Sequence, residues 1–252
     1  MPETDERGTP DPPDVVDADA DLVAGRDAPS ARQPLGRERI VAAAIGFIEE
    51  NGLPGLSMRR LGAVLGVEAM SLYRYVPGRE NLLDAVVEQI MAEMHDDPLV
   101  LASPRDGWQD FLQRLAHGVR RVALARPRCF PLVASRPVEA PWLRPPLRSL
   151  TWVEAFLDGL LSEGFSDHAA VAAYRAFTSF LLGHLLLEVA ALGADVGPLD
   201  VLDDGESANE KDPAYPTVFR LGADLAENHS AVEFEEALEE LLNRIALIRS
   251  ET

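Results

Sequence analysis

Residues 56–78 read LSMRRLGAVLGVEAMSLYRYVPG, and the order of small, apolar and basic residues in this stretch decides the surrounding fold. Ser57 is a good helix N-cap, because its hydroxyl can accept from a free backbone N–H in the turn that follows. Met58, Leu61 and Leu65 recur at three- and four-residue steps and give that helix an inward face. Leu65-Gly66-Val67 closes it, with Gly66 placed where a tight turn demands positive φ. A second short helix is predicted over 68–75, ended by Pro77-Gly78, with Val67 and Leu72 holding both helices against a third. Two short helices joined by a Gly-containing turn form the helix-turn-helix pattern. Generic helical bundles without a nucleic-acid partner also produce it.

Upstream, Ile40, Val41, Ala44, Phe47 and Ile48 make one apolar stripe, and Asn51-Gly52 supplies a stop, so a helix is expected over 37–50. Downstream, Leu82, Leu83, Val86, Ile90 and Met94 mark a longer helix over 79–95. The same periodicity continues, with little β alternation, and predicts helices over 105–125, 129–134, 141–163, 167–193, 215–228 and 231–249. The expected fold is all-α: an N-terminal three-helix helix-turn-helix domain over 35–78, then a C-terminal helical bundle over 79–252. The helix over 167–193 is apolar nearly all round from Phe177 to Leu192, which requires cover on more than one side. The final helix carries a stripe of Phe234, Ala237, Leu238, Leu241, Ile245 and Ile248, and the two are expected to build an intermolecular four-helix bundle. A monomer burying the same stripes internally is the alternative.

With 252 residues and 47% hydrophobic content, the chain can supply a small module and a larger core. Its net charge of −19 argues at face value against nucleic acid. The distribution reverses that argument. Residues 1–34 hold nine acids against three arginines in a Pro-rich setting and read as a disordered acidic extension. Residues 195–213 hold seven acids and one lysine and read as a mobile acidic loop. Between Ser57 and Arg79, Arg59, Arg60, Arg74 and Arg79 face only Glu68, a local balance of +3. The single cysteine, Cys129, excludes an intramolecular disulfide and any multi-cysteine metal site, and reads as a packed small hydrophobe. No basic start with an apolar run and no stretch of about 18 uninterrupted apolar residues is present, so a cytoplasmic protein without a membrane partner is expected.

The segments Arg39-Ile40-Val41-Ala42-Ala43-Ala44, Leu56-Ser57-Met58-Arg59-Arg60-Leu61, Leu65-Gly66-Val67, Ser71-Leu72-Tyr73-Arg74-Tyr75-Val76 and Leu82-Leu83-Asp84-Ala85 together resemble the TetR repressor family. The distal half is similar to the C-terminal domain of its tetracycline-repressor branch, at 160–165 (LLSEGF), 177–188 (FTSFLLGHLLLE) and 234–245 (FEEALEELLNRI). The resemblance implies a homodimer that binds double-stranded operator DNA through its first three helices and a small-molecule effector through its distal helices. It implies repression rather than activation. Residues 68–75 would lie in the major groove with their first side chains at base edges. Arg59 aligns with a base-contacting arginine, able to bind guanine O6 and N7. Arg74 is the second candidate base reader, where the family more often has an aromatic residue. Glu68, Ala69, Met70 and Ser71 lie along the same helix, the last three able to meet thymine methyl groups or a base edge. Ser57, Tyr73, Tyr75 and Arg79 match phosphate-binding positions, Tyr75 in place of a histidine and Arg79 in place of a lysine. Arg60 is either a further DNA contact or a solvated helix charge.

An effector pocket is expected to be apolar with a few polar groups. Phe111, His117, Arg121, Trp152, Phe156, Arg175, Phe177 and His184 are its candidate residues. No cofactor is implied, no His/Asp/Glu cluster has metal-ligand spacing, and a tetracycline–magnesium site does not carry over. Catalysis finds no Gly-rich phosphate loop, nucleophile elbow or H-E-x-x-H pattern. The remaining alternative is a helical protein-interaction adaptor that uses the acidic extension and binds no DNA.

Overall fold

The computed structural model describes residues 34–96, 104–135, 142–145, 149–196 and 215–250. Apart from Pro34, Asp195 and Val196, the expected disordered extension and the expected mobile acidic loop lie outside the described residues. Every regular element described is a helix. They are α1 (Arg37–Asn51), α2 (Met58–Leu65), α3 (Ala69–Leu72), α4 (Arg79–Asp96), α5 (Trp108–Ala125), α6 (Phe130–Ser135), α7 (Leu150–Ser162), α8 (Asp167–Ala191), α9 (Pro216–Arg220), α10 (Gly222–Ala226) and α11 (Ser230–Ser250).

The first three helices surround a small core. Ile40, Ala44 and Ile48 on α1, Leu61 on α2, Leu72 on α3 and Leu82 on α4 are all fully buried. Leu65 and Val67 are only half-buried, so Leu61 and Leu72 do most of the holding. The regular part of the second short helix spans four residues, not eight: Tyr75 and Val76 donate their backbone N–H groups to Leu72 O, and tight turns replace the rest.

α4 packs on α1 in front and on α5 and α6 behind, so one rigid rod belongs to both halves of the chain. Behind it, α5, α7 and α8 enclose an aromatic core of Phe111, Phe156, Tyr174 and Phe177, and α11 packs along α8. Helix starts follow their caps: the Ser149 and Ser166 hydroxyls accept from Trp152 and Ala169 N–H at 3.4 and 3.2 Å. The helix expected over 141–163 begins nine residues late, at Leu150, because Pro145-Pro146 supplies no N–H for a helical ladder. The helix expected over 215–228 is broken into α9 and α10 at Leu221.

α8 is long and apolar enough to cross a membrane by length and composition. Part of that apolar surface is covered within the chain, since α8 contacts α5, α6, α7 and α11, while Leu187 stays 75% exposed.

Candidate nucleic-acid interface and effector cavity

The turn between α2 and α3 is set by two glycines with different duties. Gly66 has φ +69°, the left-handed conformation the sequence predicted. Gly62 was not singled out by pattern, yet a Cβ there would lie 2.8 Å from Val67 O and 3.2 Å from Ala69 N. No side chain fits between α2 and the start of α3. Gly62 therefore fixes how closely the two helices cross, a duty that small-residue spacing alone does not reveal.

Ser57 caps α2, its Oγ accepting from Arg60 N–H at 3.2 Å. The four arginines then divide. Arg60 Nη1 donates to Gly55 O at 3.1 Å, and Arg79 donates through Nε to Leu56 O at 3.3 Å and through Nη2 to Leu53 O at 3.4 Å. Both brace the 53–56 turn. Arg59 and Arg74 are exposed and have no ion pair among the described residues. Around them Met70 is 75% exposed and Tyr73 and Tyr75 each 41%, Glu68 is exposed, and Ala69 and Ser71 are half-buried. Arg59, Met70, Tyr73, Arg74 and Tyr75 are thus left on the surface by the same packing that buries Leu61 and Leu72, a mixture of cations, hydroxyls and apolar atoms that suits a DNA groove.

In the distal half a cavity of about 50 Å³ is walled by five helices. α4 contributes Met91 and Met94, α5 Leu115 and Val119, and α6 Phe130 and Val133. Trp152 and Phe156 come from α7, and Tyr174, Phe177 and Thr178 from α8. Among the described residues the lining carries no charged side chain. Trp152 is buried and its indole Nε1–H has no hydrogen-bond partner among the described residues, a vacancy that ordinarily costs stability. A second, more open groove of about 350 Å³ runs outside it, lined by Trp142, Arg144, Val153, Glu154, Tyr174 and Arg175 among others.

The sequence candidates for effector contact divide accordingly. Trp152, Phe156 and Phe177 line the inner cavity and Arg175 the outer groove. Phe111 lies behind, its ring against Gly159 and 6.4 Å from Phe156. Arg121 is exposed on α5. His117 faces Glu235 at 3.6 Å and Phe234 at 5.9 Å, and His184 lies tilted against Phe180 and edge-on to Phe234, its Nε2 buried and without a hydrogen-bond partner among the described residues. Met91, Met94, Phe130 and Tyr174 were not among the candidates; only packing brings α4 and α6 to this site. Among the described residues no group of three or more His, Cys, Asp or Glu side chains could hold a metal ion.

A partly buried ion pair joins α5 to α8 beside α11. Arg120 donates to Glu188 through Nε at 3.0 Å and Nη2 at 2.6 Å, and its guanidinium lies 4.9 Å from the Phe234 ring centroid. Burial alone would raise the Glu188 carboxyl, but the Arg120 hydrogen bonds and charge, with Ser230 and His184 nearby, hold it below the usual carboxylate value. Cys129 is fully buried, and burial, reinforced by the Glu49 carboxylate, pushes its thiol far up, which keeps it unreactive.

Residues 40–86 match the family model of bacterial regulatory proteins of the tetR family, and residues 102–246 match the tetracyclin repressor-like C-terminal domain. The class D tetracycline repressor protein of Escherichia coli is 33% identical over 153 residues, 60% of this chain and 66% of that protein. The chain thus spans just under two thirds of that relative's length. A solved structure of a possible TetR family transcriptional regulator from Streptomyces coelicolor superposes with a TM-score of 0.65 at 28% identity, covering 84% of this chain and all of that one. The Streptomyces coelicolor TetR family protein ActR, in complex with (S)-DNPA, gives a TM-score of 0.61 at 26% identity, covering 87% of this chain and all of that one. The two matched models follow one another in the order in which the helix-turn-helix unit and the cavity-bearing bundle occur here, and this chain belongs to the TetR family of transcriptional regulators.

Proposed function

We propose that the protein is a cytoplasmic, ligand-responsive repressor that binds a palindromic operator as a homodimer and is released by a small-molecule effector. The observation that carries this reading is the double duty of α4: it packs on α1 of the DNA-reading unit and walls the inner cavity with Met91 and Met94. A ligand that enlarges the cavity presses on the element that holds the reading unit. Arg59 and Arg74 act as base readers, Ala69, Met70 and Ser71 follow the groove, and Tyr73, Tyr75 and the cap at Ser57 bind phosphate. Arg60 and Arg79 act first through the turn they brace, with Glu68 at the entry to α3.

Dimerisation uses the outer faces of α8 and α11. Phe234, Leu238, Leu242 and Ile245 are buried within the chain's own fold, so only part of the expected α11 stripe remains available. Leu187 at 75% and Leu247 at 54% exposure, with the half-buried Ala237, Leu241 and Ile248, are left for a partner. A two-fold axis there sets two reading units about 34–36 Å apart, one turn of DNA. A gel shift with the chain's own promoter region tests the reading. Nanomolar binding that weakens steeply with salt is expected; binding no tighter than to random DNA overturns it and favours the adaptor alternative.

A further inference from the structure

The inner cavity, at about 50 Å³, is far below the roughly 300–1,000 Å³ of ordinary ligand sites. The outer groove, at about 350 Å³, is large enough but open. Tyr174 is the one described residue that lines both. Its ring packs edge-on against Phe156 at 5.6 Å, and its hydroxyl donates to Pro145 O at 3.0 Å. Among the described residues the partition between the chambers is therefore the Tyr174 side chain, held by its hydrogen bond to the Pro145 loop and by one with Thr178 a turn further along α8. The two chambers also differ in chemistry. The inner lining has no charged group among the described residues, so an ion placed there would lose its hydration without compensation, while the Trp152 Nε1–H, without a partner among those residues, asks for an acceptor. The outer groove carries Arg144 and Arg175 against Glu154. Arg175 is exposed and has no ion pair among the described residues, a local positive balance in a chain of net charge −19.

We propose that the effector is an elongated aromatic anion that occupies both chambers. Tyr174 swings off Pro145 to join the spaces, one end of the ligand's ring system enters from the groove with an oxygen accepting from Trp152 Nε1, and the anionic group sits in the outer groove beside Arg175. A wholly neutral ring system leaves Arg175 without a counter-charge, and a cation meets it unfavourably. This assignment rests on reading the cavity as the effector site.

The test uses the full chain without DNA, titrated by calorimetry with anthraquinone-2-carboxylate and with its neutral methyl ester. The carboxylate is expected to bind more tightly. Arg175→Glu, on an exposed side chain, should weaken the carboxylate about five- to tenfold and leave the ester within twofold. Trp152→Phe should weaken both about fivefold, and Tyr174→Phe, which removes the latch, should speed entry of both in stopped-flow quenching. An unchanged carboxylate-to-ester ratio in Arg175→Glu, or no binding of either probe at millimolar concentration, overturns the proposal. Should Trp152→Phe fail to fold, the Arg175→Glu comparison still decides. A gel shift read separately keeps the two claims apart: the binding pattern without operator binding sinks the regulatory reading and spares the ligand assignment, and the reverse result does the opposite.

Discussion

Arg59 and Arg60 are neighbours in sequence with opposite fates. Arg60 is held by Gly55 O, whereas Arg59 is exposed and available to a base edge. Arg59→Ala is expected to cost about 1–3 kcal/mol of operator binding and to relax specificity at one base position, measured against a panel of singly substituted operators. Arg60→Ala should lower affinity evenly across that panel, by loosening the turn. Gly62→Ala tests the helix crossing: with a methyl 2.8 Å from Val67 O, backbone must shift, and a loss of about 1–3 kcal/mol in thermal unfolding is expected, with operator affinity falling further than stability. A variant that keeps full affinity would show that the crossing is not critical.

At the scale of elements, the end of α1 and the start of α6 are joined by a cap. Glu49 accepts from Cys129 N–H at 2.9 Å and Arg128 N–H at 3.3 Å, and Arg128 reaches back to Glu50 O at 3.0 Å. Arg126 adds a forked pair with Glu93 on α4, at 3.2 and 3.3 Å. Glu49→Ala is expected to cost about 1–2 kcal/mol, the worth of a good helix cap, and to weaken the coupling of probe binding to DNA release; a cap with no part in coupling would lower only the melting temperature. The Arg120–Glu188 pair gives a pH signature. Because the folded carboxyl lies below its ordinary 4.5, its contribution is present above that value and is lost as pH falls through the lower folded-state value. Melting temperature should therefore drop on acidification, and Glu188→Gln should be less stable at neutral pH, by about 1–3 kcal/mol for weakened hydrogen bonds to a charged group, with a shallower acid limb.

For the whole molecule the decisive quantity is the apolar surface left on α8 and α11. Leu187→Glu combined with Leu247→Glu changes exposed side chains, so the protomer fold is expected to survive while the dimer dissociates. Sedimentation equilibrium should show monomers, and operator affinity should fall by orders of magnitude, since one reading unit contacts only one half-site. A dimer that persists places the interface elsewhere.

The sequence by itself determined the all-helical class, most helix positions and the helix-turn-helix unit, because periodicity, serine caps and Gly or Pro stops are local and act within a few residues. It also placed Trp152, Phe156 and Phe177 among the candidate cavity residues, since aromatic side chains on apolar helix faces gather wherever such faces meet. The tertiary structure decided what depends on which helix crosses which. It decided that Gly62 rather than Gly66 limits the approach of α2 to α3, that Arg60 and Arg79 are committed to the 53–56 turn while Arg59 and Arg74 are not, and that Met91 and Met94 face the cavity. It also set Tyr174 between the two chambers. Those are contacts between residues distant in sequence, and no local pattern encodes them; they follow only once the helices have packed.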